Sequence, residues 1–133
     1  MKIAAFNKRD AANVPKPLTL VDSFTGEIAT GKDGKPMIMW IYGAQSDNAR
    51  NAHKERERKY GKKSNISTED QTKIGAEYLA AITQGWSDNW VDDDDKPVKY
   101  TPENAVLLYT ANDGIAEQVL NFAVDISNYD QKK

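Results

Sequence analysis

At 133 residues the chain has the length of one domain, enough to bury a modest core without covalent staples. It has no cysteine, which excludes disulfides, thiolate metal ligands and thiol nucleophiles and fits a reducing compartment. The formal net charge of −2 conceals an uneven distribution, with basic residues crowding the middle of the chain and acidic residues the loop that follows.

Residues 1–13 read as a flexible lead-in. MKIAAFNKRDAAN becomes charged before an apolar signal segment forms, and no apolar run in the chain approaches the ~20 residues of a spanning helix. The expectation is a single domain over 1–133 in the cytoplasm, with no membrane partner. Asn65-Ile66-Ser67 matches a glycosylation acceptor but has no consequence without a secretory signal.

Pro17 to Val21 and Met37 to Gly43 read as two strands, separated by the turn-forming stretches Ser23 to Gly26 and Gly31 to Pro36. In the second run Ile38, Trp40 and Tyr42 point one way and Met37, Met39 and Ile41 the other, so both faces are apolar and both need cover. Two strands alone form a marginal sheet.

About four helices follow. Ser46 caps the first, which runs to about Lys59 with Gly61 placed to stop it; its inward face offers little beyond Ala49, Ala52, Arg56 and Lys59 or Tyr60, so it lies on the surface or across a partner. Ser67 or Thr68 caps the second, with Glu69 and Asp70 in its first turn and Ile74, Tyr78, Ala81 and Ile82 as its inward face; Gly85 ends it. The third opens at Thr101-Pro102-Glu103 and turns Leu107 and Leu108 inward. The last is capped near Asn112 or Asp113 and carries a core stripe of Ile115, Val119, Phe122, Ala123 and Ile126; residues 130–133 are a polar, frayed end. The fold class is thus α+β, mainly α, an N-terminal two-stranded hairpin followed by helices.

No catalytic set assembles from these residues. Asp92 to Asp95 invite a calcium reading, but with Asp92 as first ligand Lys96 falls fifth and Pro97 sixth, where an oxygen ligand and the turn glycine belong. A wet loop also leaves paired carboxylates unsuited to acid–base work. His53 sits in a polar helix without a cysteine or acid partner, and the glycines lack the lysine-serine or lysine-threonine pair of a phosphate loop. The basic run Arg50, Lys54, Arg56, Arg58, Lys59, Lys62, Lys63 is the best case for nucleic acid. Glu55 and Glu57 interrupt it, Tyr60 is its one aromatic, and the chain as a whole is acidic, which argues against a dedicated binder.

The same asymmetry suggests a head-to-tail contact in which the basic helix of one copy meets the acidic loop of the next. Trp86 reads as a core anchor, while Trp90 beside the acidic loop and Trp40 in the two-faced strand each read either as core or as a partly exposed anchor. The expected partner or self-association surface comprises Met37, Met39, Trp40 and Tyr42 on the strand, Arg50, Arg56 and Arg58 on the helix, and Trp90 with Asp92, Asp93, Asp94 and Asp95.

Taken in order, the strand pair, the basic helix, Glu77 to Gly85 leading into Trp86, Tyr100-Thr101-Pro102-Glu103-Asn104-Ala105 with Leu108-Tyr109, and Ile115, Gln118-Val119, Phe122, Asp125, Asn128 and Tyr129 resemble the tail assembly chaperones of long-tailed bacteriophages and their prophages. The resemblance spans roughly 14–129. It implies a non-enzymatic protein without cofactor that binds the tail tube protein and the tape measure protein in the host cytoplasm, keeps them soluble and is absent from the finished tail. It further implies that this chain corresponds to the short form of a pair whose longer member arises by frameshifting. It supplies no functional residue to carry over. The alternatives are a small structural tail component retained in the virion and, behind it, a nucleic-acid-binding accessory protein.

Overall fold

The computed structural model describes residues 1–61 and 66–130. Lys62 and Lys63 of the basic run, Asn65 of the acceptor motif and the tail Gln131 to Lys133 lie outside the described residues.

Five α-helices and a small sheet make up the described chain: α1 (Lys8–Ala12), β1 (Lys16–Thr19), β2 (Ile38–Ile41), α2 (Asp47–Tyr60), α3 (Thr68–Ala81), β3 (Thr83–Trp86), α4 (Pro102–Ala111) and α5 (Asp113–Val124). The α+β class and the hairpin-then-helices order agree with the sequence. Capping side chains set the starts of α2, α3 and α4 where the sequence places them, whereas Asn112 ahead of α5 makes no side-chain cap hydrogen bond. The Ser46, Ser67 and Thr101 hydroxyls accept from the backbone N–H groups of Ala49, Asp70 and Asn104, and Pro102 fills the first turn of α4.

The sheet is antiparallel in the order β1-β2-β3, so β2 is its central strand rather than one half of a lone pair. The third strand covers residues read from sequence as a helix end and the turn beyond it. Helix α3 closes one turn earlier, where the Thr83 hydroxyl donates to the Leu79 carbonyl at 2.7 Å, and the chain then runs extended along β2. A four-residue strand reading Thr-Gln-Gly-Trp is too short and too polar to announce itself by alternation. The connection from β1 to β2 is itself folded, with bridges Val21↔Ile28 and Thr30↔Pro36 and left-handed Gly26 (φ 74°) and Gly34 (φ 77°) at its turns.

Leu20, Met39, Ile41, Ile82, Trp86 and Trp90 from the sheet side meet Ala76 and Leu79 of α3, Ala105 and Tyr109 of α4 and Val119 and Ala123 of α5 in a single buried cluster. The stripe on α5 is as the sequence reads it, with Val119 and Ala123 fully buried and Ile115 and Phe122 packed against the cluster. Ile126 falls in a separate 3-10 turn, Ile126–Tyr129, whose Tyr129 is fully buried and donates to the Ile41 carbonyl at 3.0 Å. Two faces depart in part from expectation. Helix α3 buries Ala76, Leu79 and Ala80; of the residues expected inward, Ile82 is fully buried at its end and Tyr78 packs partly against the core while also lining the α2 side, whereas Ile74 is turned toward α2 and Ala81 is exposed. On α4 Ala105 and Tyr109 are buried and Leu108 packs against the cluster as expected, but Leu107 is 67% exposed. Small residues on these inner faces let the helices approach closely, and Tyr109 is drawn in by its hydroxyl, 2.6 Å from the Thr83 hydroxyl.

The lead-in is more ordered than its composition suggests. Asn7 caps α1, Ala12 is fully buried, and the Ala12 carbonyl accepts from Gly43 N–H. Arg9 and Asn13 both donate to the Asp47 carboxylate at the start of α2, and Asp47 N–H donates to Asn13 Oδ1 at 2.7 Å. A side chain at Gly43 would strike Ala12, so glycine is required there for this close approach.

The segment Gly85 to Trp90 holds the two halves of the sheet together. Ser87 exchanges contacts with Ile38, its N–H donating to the Ile38 carbonyl and its hydroxyl accepting from Ile38 N–H, and the same hydroxyl accepts from Trp90 Nε1 and donates to Asn89 Oδ1 at 2.6 Å. Asn89, 8% exposed, then donates to Asp33 Oδ1, the Lys35 carbonyl and the Pro36 carbonyl, and its own carbonyl accepts from Lys32 N–H. A Cβ at Gly31 would lie 2.2 Å from that carbonyl, so this turn admits no side chain. The Asn89 amide also holds the Asp33 carboxyl below its ordinary range. Trp86 stacks on Trp90 with centroids 4.9 Å apart and meets Tyr100 in a T-shaped contact at 5.1 Å.

Asn89→Ala strands three acceptors and the Ser87 hydroxyl in a closed turn; a loss of about 2 kcal/mol is expected, read as a lower urea midpoint at unchanged m. The Arg9 guanidinium beside Asp47 holds that carboxyl below its ordinary range. A depressed carboxyl stabilises above its unfolded pKa of about 3.9 and loses that contribution as pH falls through the lower folded value. Below about pH 4, therefore, α1 is expected to release before the core opens, seen as hydrogen exchange rising first at Gly43 and Asn13. Simultaneous loss of protection at Val119 would contradict this.

Candidate partner-binding surface

The central strand alternates cleanly. Met39 and Ile41 are fully buried, whereas Ile38 and Trp40 are half-buried, face away from the core and take no part in its cluster. Their neighbours on that outer face are Thr19 and Pro17 of β1 and Gly85 of β3, and a Cβ at Gly85 would meet nothing within 4 Å, so the space beside the Trp40 indole is open. Of the strand residues expected on a partner surface, Trp40 stands there. Met39 does not, because it pairs with Trp86 on the inner face. Met37 and Tyr42 are half-buried against the core. Trp90 is also removed from the surface: at 3% exposure it stacks on Trp86 inside the cluster.

Helix α2 stands on the surface as its sparse apolar content requires, with Ala49 its one buried residue. Arg50, Arg56 and Arg58 are exposed along it. Their charges are partly committed. Arg58 donates to Glu55 through two hydrogen bonds, which lowers the Glu55 carboxyl, Arg50 lies close enough to Asp47 to contribute to its depression, and Lys59 pairs with Glu77 of α3 at 3.2 Å. Arg56 makes no ion pair among the described residues.

Between α2 and α3 runs a groove of about 610 Å³ with an apolar floor, including Ala52, Ile74, Tyr78 and Ala81, and a charged rim that includes Arg56 and Glu77. Burial raises the Tyr78 hydroxyl above its ordinary range, and its ring lies 5.0 Å from that of His53, which is exposed. Gly75 sits mid-helix in this wall, where a Cβ would meet nothing within 4 Å; the packing of the chain does not demand a glycine there, although glycine costs a helix about 1 kcal/mol relative to alanine. Glu77 Oε1 is buried yet has no hydrogen-bond partner among the described residues. The floor was not legible as a groove because Ile74, Tyr78 and Ala81 carry the same spacing as a core face.

Asp92 to Asp95 form an exposed turn closed on itself. Asp92 Oδ1 accepts from the N–H groups of Asp94 and Lys96, and Asp95 takes a left-handed φ of 60°. Among the described residues none of its carboxylates forms a salt bridge with a cation of α2. Among the described residues no group of three or more histidine and acidic side chains is placed to hold a metal ion, and no helix is long and apolar enough to cross a membrane.

Several exposed apolar residues lie outside the expected surface. Phe24 is 98% exposed at a turn that Asp22 caps by accepting from Phe24 and Thr25 N–H, with Ile28 59% exposed nearby in sequence. Ile3 and Phe6 are 91% and 69% exposed in a 3-10 turn ahead of α1. A large apolar side chain inside a turn-forming or charged stretch was the available signal for each.

Comparison with known proteins gives a family assignment. Residues 39–133, well over half of the chain, match the family model described as YdaY prophage protein. No curated protein and no solved structure matches the chain. Strand β2 from Met39 onward and every later element lie within the match, and the chain belongs to the YdaY prophage protein family.

Proposed function

We propose that this prophage protein is a non-catalytic tail assembly chaperone that works in the host cytoplasm, holding the tail tube protein, the tape measure protein or both during tail morphogenesis. Membership of a prophage family supports a role in the life of a phage. The order of segments from Tyr100 to Tyr129 resembles the tail assembly chaperones. The observation that carries the reading is the outer face of the sheet, where Ile38 and Trp40 on the central strand point away from the core beside an open position at Gly85. An aromatic with an open flank is suited to cover apolar surface on a client chain, and such residues dominate binding energy. Phe24, exposed at its turn, is a second apolar anchor.

The test is co-expression with the tail tube and tape measure proteins of the same phage, followed by light scattering after size exclusion. A soluble complex with one of them is expected, together with absence of the chain from purified particles. Trp40→Ser is expected to weaken that complex by about 30-fold, the scale of a hot-spot residue of about 2 kcal/mol, and Phe24→Ser, which removes no buried contact, should weaken it without altering the melting temperature. No complex with either protein would overturn the reading, and recovery of the chain from washed virions would make it a structural tail component instead.

A further inference from the structure

Two features of the chain are uncovered in a single copy and complement one another. The first is the arm ahead of α1. Ile3 and Phe6 occupy the ends of the 3-10 turn Ile3–Phe6, a spacing at which side chains eclipse on one side, and the turn buries no residue of its own. Lys2 precedes them. The arm is nevertheless rooted in the body, since Asn7 caps α1, Ala12 is buried and Arg9 grips Asp47. An ordered root presenting large apolar side chains to water is a binding element in search of a site.

The second is the groove between α2 and α3. Its floor of Ala52, Ile74, Tyr78 and Ala81 asks for apolar side chains, and the open space at Gly75, where a Cβ would meet nothing within 4 Å, leaves room beside them. Glu77 Oε1, buried and unpartnered among the described residues while its other oxygen holds Lys59, asks for one hydrogen-bond donor, best a cation. The occupant is thus an apolar segment with a single positive charge beside it. The Asp92 to Asp95 turn fits badly, because its carboxylates would lose water against an apolar floor and meet Glu77.

We propose that the chain self-associates by arm exchange, the segment Lys2 to Phe6 of one copy lying in the α2–α3 groove of a second copy. Ile3 and Phe6 seat on the floor beside Gly75, and the Lys2 ammonium donates to Glu77 Oε1. Reciprocal exchange closes a twofold pair, whereas one-way exchange propagates a chain of copies. The proposal stands apart from the chaperone reading, which concerns client proteins on the sheet face.

The absence of native cysteine makes the test direct. Full-length Ala5→Cys is mixed with full-length Gly75→Cys under mild oxidation; Ala5 is exposed and a Cβ at Gly75 meets nothing, so neither change disturbs the fold. The mixed disulfide is expected at no less than about ten times the yield from Ala5→Cys with Leu107→Cys, a comparably exposed control, matching a preference of about 1.4 kcal/mol. Phe6→Asp in the Ala5→Cys chain is expected to bring the yield down to the control, and in the otherwise native chain to weaken self-association at least about tenfold by light scattering with an unchanged circular dichroism spectrum. A mixed yield equal to the control overturns the proposal. So does an intramolecular disulfide in a monomeric Ala5→Cys, Gly75→Cys double variant, or cross-linking that appears only when a tail protein is added.

Discussion

The hydrogen bonds radiating from Ser87 and Asn89 are the constraint on which the remainder of the architecture rests. One short polar segment, set between two tryptophans, ties the central strand to the last strand through Ser87 and ties the folded connection of the first hairpin to both through Asn89. Because the amide is nearly enclosed, each of its donors must find an acceptor inside the protein, and the acceptors are supplied by a turn more than fifty positions earlier in the chain. That requirement fixes the turn at Gly31 to Pro36, which in turn positions Met37 and Met39 against Trp86 and Trp90. A three-stranded sheet of four-residue strands has little intrinsic stability. Side-chain bonding of this kind substitutes for strand length.

The helices are fastened to the same sheet by hydroxyls. Thr83 lies at the junction of α3 and β3, bonded to the Leu79 carbonyl and to Tyr109 of α4, while Tyr100 donates to the Thr83 carbonyl and Tyr129 reaches the Ile41 carbonyl. Burial pushes the Tyr109 and Tyr129 hydroxyls well above their ordinary range, so both remain neutral donors throughout physiological pH. On α4 this accounts for an inner face whose buried residues are Ala105 and Tyr109. Close approach through small residues brings a phenol within reach of a backbone oxygen, and the leucine at 107 is left outside.

Local chemistry was legible in the sequence and rotation about helix axes was not. Ser46, Ser67, Thr101 and Pro102 mark helix starts because a cap is a contact between near neighbours, and the stripe on α5 was readable because its apolar residues are large and regularly spaced. On α3 and α4, Ile74 and Leu107 are larger than the alanines at 76, 80 and 105 that are buried, so side-chain size alone does not mark the inner face. The third strand escaped because it is identified by pairing with β2, a long-range fact that Gln84 and Gly85 do not encode locally. Of the expected surface, Trp40 lies on the outer face of the sheet and Arg50, Arg56 and Arg58 are exposed, whereas Met39 and Trp90 belong to the core. Trp90 misled because proximity to Asp92 suggested solvent, yet the chain turns at Val91, bridged to Pro97, before the acidic residues begin.

The family match opens at Met39, inside the central strand, and this has a consequence for how the gene can be reshuffled. The segment before that point holds the first strand, Leu20 of the core and every acceptor that the Asn89 amide uses. A recombination junction placed at the edge of the family match would join a clasp to a turn it was not shaped for. Viable chimaeras between relatives should therefore carry residues 31–36 and 87–89 from the same parent, so that the unit of inheritance is the hydrogen-bonded pair of turns and not the conserved-looking stretch of chain.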